Sequence, residues 1–246
     1  MEGDVIDSQD DRRRSLVRGL IQGTLPPAEA AATARANGLL PGGRYRAIRA
    51  RPGGSVQPFA LARAVAATGG GADGRGAVAT VIEGDVVGIV TSAPDVPAGA
   101  VAGLGAVVPL AGLDSSFRLA TRALETAIAY GIEGAVDIDE LSLRPAILTE
   151  PQLGERMVGR YLDPLRPLGA FGDTLQRTVH EYLASGLRVH RTAEVLYIHP
   201  NTLRYRLEKF EEITRADLRR MQDLLELWWA LERRKLDVAL NRSESE

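Results

Sequence analysis

Cysteine is absent from all 246 residues, which excludes disulfides, thiolate metal ligands and a cysteine nucleophile. Lysine is almost absent, occurring only at positions 209 and 235, so nearly all of the 30 basic residues are arginine. Aromatic residues make up 5% of the chain. No apolar run approaches the ~20 residues that span a bilayer. The start, Met1-Glu-Gly-Asp-Val-Ile-Asp, is acidic and lacks the apolar core of a secretory signal. These absences predict a soluble cytoplasmic protein with no membrane partner. There are three histidines, at 180, 190 and 199, and their spacing gives no shared face for a metal. The net charge of −2 excludes a surface coated in basic charge but leaves room for a local basic patch.

What is present is concentrated near the C-terminus. From His199 onward, Leu203, Leu207 and Phe210 recur at i, i+4 and i+7 and so form one apolar stripe. Pro200 suits a first helical turn, where its missing N–H is no loss. At about 100° per residue, Asn201, Thr202, Tyr205, Glu208 and Lys209 fall opposite the stripe, with Arg204 and Arg206 on its flanks. Those residue types suit DNA: Asn pairs bidentately with adenine, Arg with guanine, and Arg or Lys holds phosphate. A short preceding helix, Arg191 to Leu196, supplies a small Ala193 for a close crossing and apolar contacts from Val195, Leu196 and Ile198. A helix-turn-helix follows, with a recognition helix at about 199–212. Tyr197 stands where such turns often carry glycine.

The run from Tyr197 to Thr214 resembles the C-terminal helix-turn-helix of the PucR/CdaR family of bacterial transcription regulators. The family core is Ile-His-x-Asn-Thr-x-x-Tyr-Arg-Leu, met here by Ile198, His199, Asn201, Thr202, Tyr205, Arg206 and Leu207. Pro200 replaces an arginine that many members carry. The resemblance implies a sequence-specific regulator that binds double-stranded DNA as a dimer or higher oligomer. Candidate DNA contacts are Arg191, Thr192, His199, Asn201, Thr202, Arg204, Tyr205, Arg206 and Lys209. Among them Asn201, Thr202 and Tyr205 are expected to read base edges. Arg204, Arg206 and Lys209 are expected to hold phosphate, and His199 to cap the helix or contact phosphate. Members also carry an N-terminal sensory region. Too few residues precede position 40 for one, so either this is a short form or an unknown small-molecule effector enters elsewhere.

The middle of the chain alternates elements: strand at 45–51, helix at 56–68, β-rich runs at 77–82 and 86–91, strand at 105–110, helix from about 114 to 130, and a short strand at 135–138. Glu83-Gly84-Asp85 signals a hairpin. Read as β-α-β-β-α-β, this is the split βαβ of ferredoxin-like folds. It is similar to the degenerate GGDEF-like domain that PucR/CdaR regulators carry upstream of their helix-turn-helix. The expected fold class is therefore α+β, a ferredoxin-like middle domain followed by an all-α domain. The expected divisions are a disordered tail at 1–10, a helical segment at 11–40, the α/β domain at 41–145, a helical connector at 146–172, the helix-turn-helix domain at 173–238, and a tail at 239–246.

A nucleotidyl cyclase of this plan needs carboxylates that hold two Mg²⁺ ions. The turn here is one glycine short, and the strand that should supply another ligand ends Arg49-Ala50-Arg51-Pro52. Two arginines repel a divalent cation, so no catalytic residue, metal or cofactor is expected. The middle domain is left to oligomerisation or signal relay. The alternative is a nucleotide sensor or cyclase-like enzyme through that domain. Gly69 to Gly76 lacks the Lys-Ser/Thr of a phosphate loop and reads as a linker. Arg12-Arg13-Arg14 reads as a solvated first turn rather than a nucleic-acid arm. On the last helix Met221, Leu224, Leu225, Trp228 and Leu231 are expected to form one apolar face, with Trp229 off it, either at an interface or packed on its own domain.

Overall fold

The computed structural model describes residues 2–71 and 76–243. It divides into two compact units, 1–145 and 146–246.

The first unit is built on one sheet covered on both faces. Its elements are α1 (Glu2–Ile21), α2 (Pro27–Ala36), β1 (Arg44–Arg51), α3 (Pro58–Thr68), β2 (Val78–Ile82), β3 (Asp85–Val90), β4 (Val101–Leu104), β5 (Val108–Pro109), α4 (Leu113–Ala129) and β6 (Gly134–Asp137). The strand order is β2-β3-β1-β4-β6, with β5 pairing to the start of β1. All neighbours are antiparallel except β4 and β6, which are parallel and joined through α4. The period of two is clean on β1. Tyr45 and Ala47 pack with Leu16, Val17 and Leu20 of α1, whereas Ile48 and Ala50 pack with Leu61 and Val65 of α3. A sheet buried on both faces explains why β3 is apolar almost throughout.

Three expectations change. The four strands β2-β3-β1-β4 keep the split βαβ order, but α4 follows β4 instead of preceding it, and β6 is an added parallel strand. The strand expected at 105–110 is two strands, Val101–Leu104 and Val108–Pro109, broken at Gly105. Glycines at 103 and 105 let α4 lie against bare backbone. A Cβ at Gly103 would sit 2.2 Å from the Ala120 carbonyl, and one at Gly105 1.9 Å from the Ser116 carbonyl. The buried Ser116 hydroxyl then accepts the Ala47 N–H at 2.9 Å and donates to the Ala106 carbonyl at 2.7 Å. Finally, residues 2–10, expected to be disordered, belong to α1.

The hairpin falls where the sequence signals it. Ile82 pairs with Asp85, and the two loop residues, Glu83 and Gly84, have φ of 53° and 86°. Positive φ at both places is the type I′ turn that matches strand twist. Asp85 is buried, and its carboxylate is held by Arg49 Nε at 2.8 Å and Arg51 Nε at 3.0 Å. Burial pushes this acid upward, but the hydrogen bonds from Arg51 and Arg49 outweigh it and hold the carboxyl below its usual range. Of the Gly69–Gly76 stretch read as a linker, residues 72–75 lie outside the described residues.

The division between units falls within α5 (Arg144–Thr149). The second unit continues with α6 (Pro151–Tyr161), a 3₁₀ turn at Asp163–Leu168, α7 (Ala170–Ala184), α8 (Val189–Val195), α9 (Pro200–Thr214) and α10 (Met221–Ser243). One core joins Tyr161, Leu165, Leu175, Val179, Leu203, Phe210, Leu227 and Leu231. Asp173 sits in the first turn of α7. On α10 the buried row is Leu224, Leu227, Ala230 and Leu231, while Met221 and Leu225, expected inside, are 69% and 52% exposed. Trp228 and Trp229 are both half-buried. The helix runs through Ser243, so the tail expected from 239 is helical that far, held by the buried Leu236 and the Arg233–Asp237 pair at 3.0 Å. Residues 244–246 lie outside the described residues. Among the described residues no helix is long and apolar enough to cross a membrane.

Candidate nucleic-acid interface

The sequence brings α8 and α9 together through small and apolar side chains. Ala193 is buried where α8 crosses, and Ile198 packs into the core at the turn. The turn closes with the Ile198 N–H donating to the Ala193 carbonyl at 3.0 Å and the Tyr197 N–H to the Glu194 carbonyl at 3.1 Å. This is a Schellman cap, which requires a left-handed residue, and Tyr197 supplies it with φ 53°. The αL requirement that often selects glycine at such a turn is therefore met by a tyrosine.

Helix α9 begins with Pro200 in its first turn. His199 is its N-cap, Nδ1 accepting the Asn201 N–H at 3.2 Å. Leu203, Leu207 and Phe210 are buried, which fixes the outward face. On that face Asn201, Thr202, Arg204 and Tyr205 are exposed. Arg204 Nη1 donates to Asn201 Oδ1 at 2.9 Å. On α8, Arg191 is exposed beside Arg188 and His190. The structure thus gathers Asn201, Thr202, Arg204 and Tyr205 on one solvent-facing surface, with His199 at its leading end and Arg191 on the neighbouring helix.

Three candidates fare differently. Thr192 is fully buried, and its Oγ1 donates to the Arg188 carbonyl at 2.8 Å, so it is withdrawn as a DNA contact. A threonine can be buried in a helix because that carbonyl satisfies its hydroxyl. Arg206 is half-buried, with Nη1 3.5 Å from Thr178 Oγ1 on α7, away from the outer face. Lys209 is bonded to Glu212 at 2.6 Å, which raises its pKa. The other lysine, Lys235, is paired to Glu232 at 2.6 Å. Sequence reasoning missed Arg188, although the basic run Arg188-Val-His-Arg191 was there to signal it.

A partly buried network braces the helices around α9. Glu211 accepts the Leu218 N–H, and Asp223 accepts the Asp217 N–H, both at 2.8 Å, so the loop from α9 to α10 is fixed at both ends. Tyr161 donates to Glu226 at 2.6 Å, and Arg160 reaches the same carboxylate at 2.8 Å. Burial, then the Glu226 hydrogen bond, pushes the Tyr161 phenol well above its ordinary value. The Tyr161 bond, followed by that from Gln222, lowers Glu226.

Comparison with known proteins agrees with this geometry. The PucR C-terminal helix-turn-helix domain matches residues 175–232. An uncharacterized protein of Haemophilus influenzae is 32% identical over 118 residues, which is 45% of this chain and 31% of that one. One from Bacillus subtilis is 31% identical over 137 residues, or 53% and 34% of the two chains. One from Mycobacterium tuberculosis is 39% identical over 61 residues, or 25% and 15%. The chain therefore spans about a third or less of the length of these curated relatives. Among solved structures, a regulator of polyketide synthase expression from Bifidobacterium adolescentis is 21% identical, covers 92% of this chain and 93% of its own, and has a TM-score of 0.35, too low to speak for the fold. The match over residues 175–232 and the exposed face of α9 lead to one conclusion: this region is a PucR-type C-terminal helix-turn-helix domain.

Proposed function

We propose that the protein is a sequence-specific DNA-binding transcription regulator that places α9 in the major groove and acts in the cytoplasm. The observation that carries this is the division of α9 into a fully buried stripe and an exposed face of Asn201, Thr202, Arg204 and Tyr205. Asn201 and Tyr205 are the base-edge readers, with Thr202 beside them. Arg188, Arg191 and Arg204 hold phosphate. One such helix reads few base pairs, so a homodimer reads two half-sites about 34–36 Å apart.

In this reading the first unit is not an enzyme and serves oligomerisation or relay of an effector signal. The support is local: Asp85, one of the two acids at the hairpin, is already matched by two guanidinium groups. Selection of duplexes from a randomised pool, followed by footprinting, tests the proposal. The expected result is a repeated half-site with protection centred on the major groove. Equal affinity for selected and random duplexes at one salt concentration would refute sequence specificity.

A further inference from the structure

Among the described residues, five helices end in the same hydrogen-bonded cap, a bond from C″ to C3 enclosing one from C′ to C2. For α1 the bonds are Thr24 N–H to Gly19 O and Gly23 N–H to Leu20 O; for α2, Leu39 to Ala34 and Gly38 to Arg35. For α4 they are Ile132 to Ala127 and Gly131 to Ile128; for α7, Leu187 to Tyr182 and Gly186 to Leu183. In α8 they are Ile198 to Ala193 and Tyr197 to Glu194. The left-handed residue is glycine in the first four, with φ of 63°, 79°, 64° and 70°. In α8 alone among these it is a side-chain-bearing residue, Tyr197, at φ 53°.

The backbone therefore explains the αL conformation, but it does not explain the tyrosine. Outside glycine, αL is visited mainly by Asn and Asp, whose short side chains hydrogen-bond locally, whereas a bulky residue there is strained. Burial could compensate, yet Tyr197 is 96% exposed, the most open large hydrophobic side chain among the described residues. No hydrogen bond to its hydroxyl forms within the described residues. The folded chain thus bears the strain and gains no packing in return, a pattern found where a side chain serves an external partner. The position specifies the partner. Tyr197 lies two residues before the N-cap of α9, at the corner from which that helix meets its target.

We propose that Tyr197 is a DNA-backbone contact, its phenol O–H donating to a phosphate oxygen at the rim of the groove that α9 enters. The assignment rests on the DNA-binding reading above and extends it to a residue outside the recognition helix. A neutral hydroxyl releases no counterion, so the contact adds affinity without steepening the salt dependence, unlike an arginine–phosphate contact. Backbone contacts carry no sequence information directly, so the gain is shared by all duplexes.

The test uses the full-length protein, a duplex selected by the wild type, and a random duplex of equal length, each across a salt series. Tyr197→Phe removes only the hydroxyl, and Tyr197→Asn also relieves the αL strain. Both are expected to weaken binding to the two duplexes by the same factor, about tenfold, equivalent to about 1.4 kcal/mol, with an unchanged slope against log salt. The thermal midpoint of Tyr197→Asn is expected to equal or exceed that of the wild type. Wild-type affinity in both variants overturns the proposal, as does a loss confined to the selected duplex, which would make Tyr197 a base reader. A lowered midpoint in Tyr197→Asn overturns it too, because the tyrosine would then be structural. If the wild type binds neither duplex, the DNA-binding reading itself fails, an outcome distinct from the others.

Discussion

Arg204 and Asn201, one turn apart on the exposed face of α9, are joined by a 2.9 Å hydrogen bond from Nη1 to Oδ1. The bond orients the Asn201 amide, and if Asn201 reads adenine as proposed, it must be shared or exchanged when Oδ1 accepts from the base. Asn201→Ala is therefore expected to cost about 1–3 kcal/mol against the selected duplex and to relax the preference at one base position. Arg204→Ala should weaken all duplexes alike and lower the salt slope by about one. Because the two side chains touch, the double variant should lose less than the sum of the singles, which a double-mutant cycle measures.

His199 closes the start of α9 through one side-chain acceptor. His199→Ala should destabilise the C-terminal unit by about 1 kcal/mol, and His199→Asn should retain most of the cap. Both tryptophans, Trp228 and Trp229, lie on α10, so tryptophan fluorescence during urea unfolding follows this unit alone. Equal unfolding midpoints for His199→Ala and the wild type would remove the capping role.

Burial of Tyr161, and then its bond to Glu226, make the C-terminal unit sensitive to alkali. The phenol pKa is raised in the fold above its ordinary value of 10.0. Its contribution is therefore complete below that ordinary value and is lost as pH climbs toward the higher folded one. Glu226 is lowered from 4.5, so its share is complete above that value and fades as pH falls through the lower one. Tyr161→Phe should cost about 1.5–3 kcal/mol near neutrality, the worth of a hydrogen bond to a charged group. It should also flatten the alkaline arm of a midpoint-versus-pH curve. An unchanged alkaline arm in Tyr161→Phe counts against this account.

Gly105 has no room for a methyl group. Gly105→Ala would place Cβ 1.9 Å from the Ser116 carbonyl, so α4 or the strand backbone must move. A loss of about 1–3 kcal/mol or more is expected for the first unit. Gly84→Ala meets nothing within 4 Å and pays only the positive φ. Thermal unfolding followed by circular dichroism should rank the two in that order.

How far the sequence could be read depends on what each residue declares about its own surroundings. The 3.6-residue period of Leu203, Leu207 and Phe210 states which side of α9 is inside, and the structure agrees. The hairpin at Glu83-Gly84 was legible because only certain residues tolerate its dihedrals. Strand β4 was not, since Val101-Ala-Gly-Leu104 carries little β signal of its own. Its glycines answer to α4, which lies far along the chain. Thr192 misled because a polar residue implies an outward face, yet its own helix satisfies it. On α10, Met221 and Leu225 share an apolar period with the buried row but lie outside it. Hydrophobicity alone cannot choose between two such rows.

The scarcity of lysine has a practical use. The only two side-chain amines stand on different helices, Lys209 on α9 and Lys235 on α10, each tethered to one glutamate at 2.6 Å. A mild acylating reagent therefore has two lysine targets, one on the helix assigned to the groove and one on its support. Mass spectrometry of the tagged peptides gives a ratio within each molecule, with Lys235 as the built-in reference. Occupancy of α9 by any duplex can then be followed without introducing a probe.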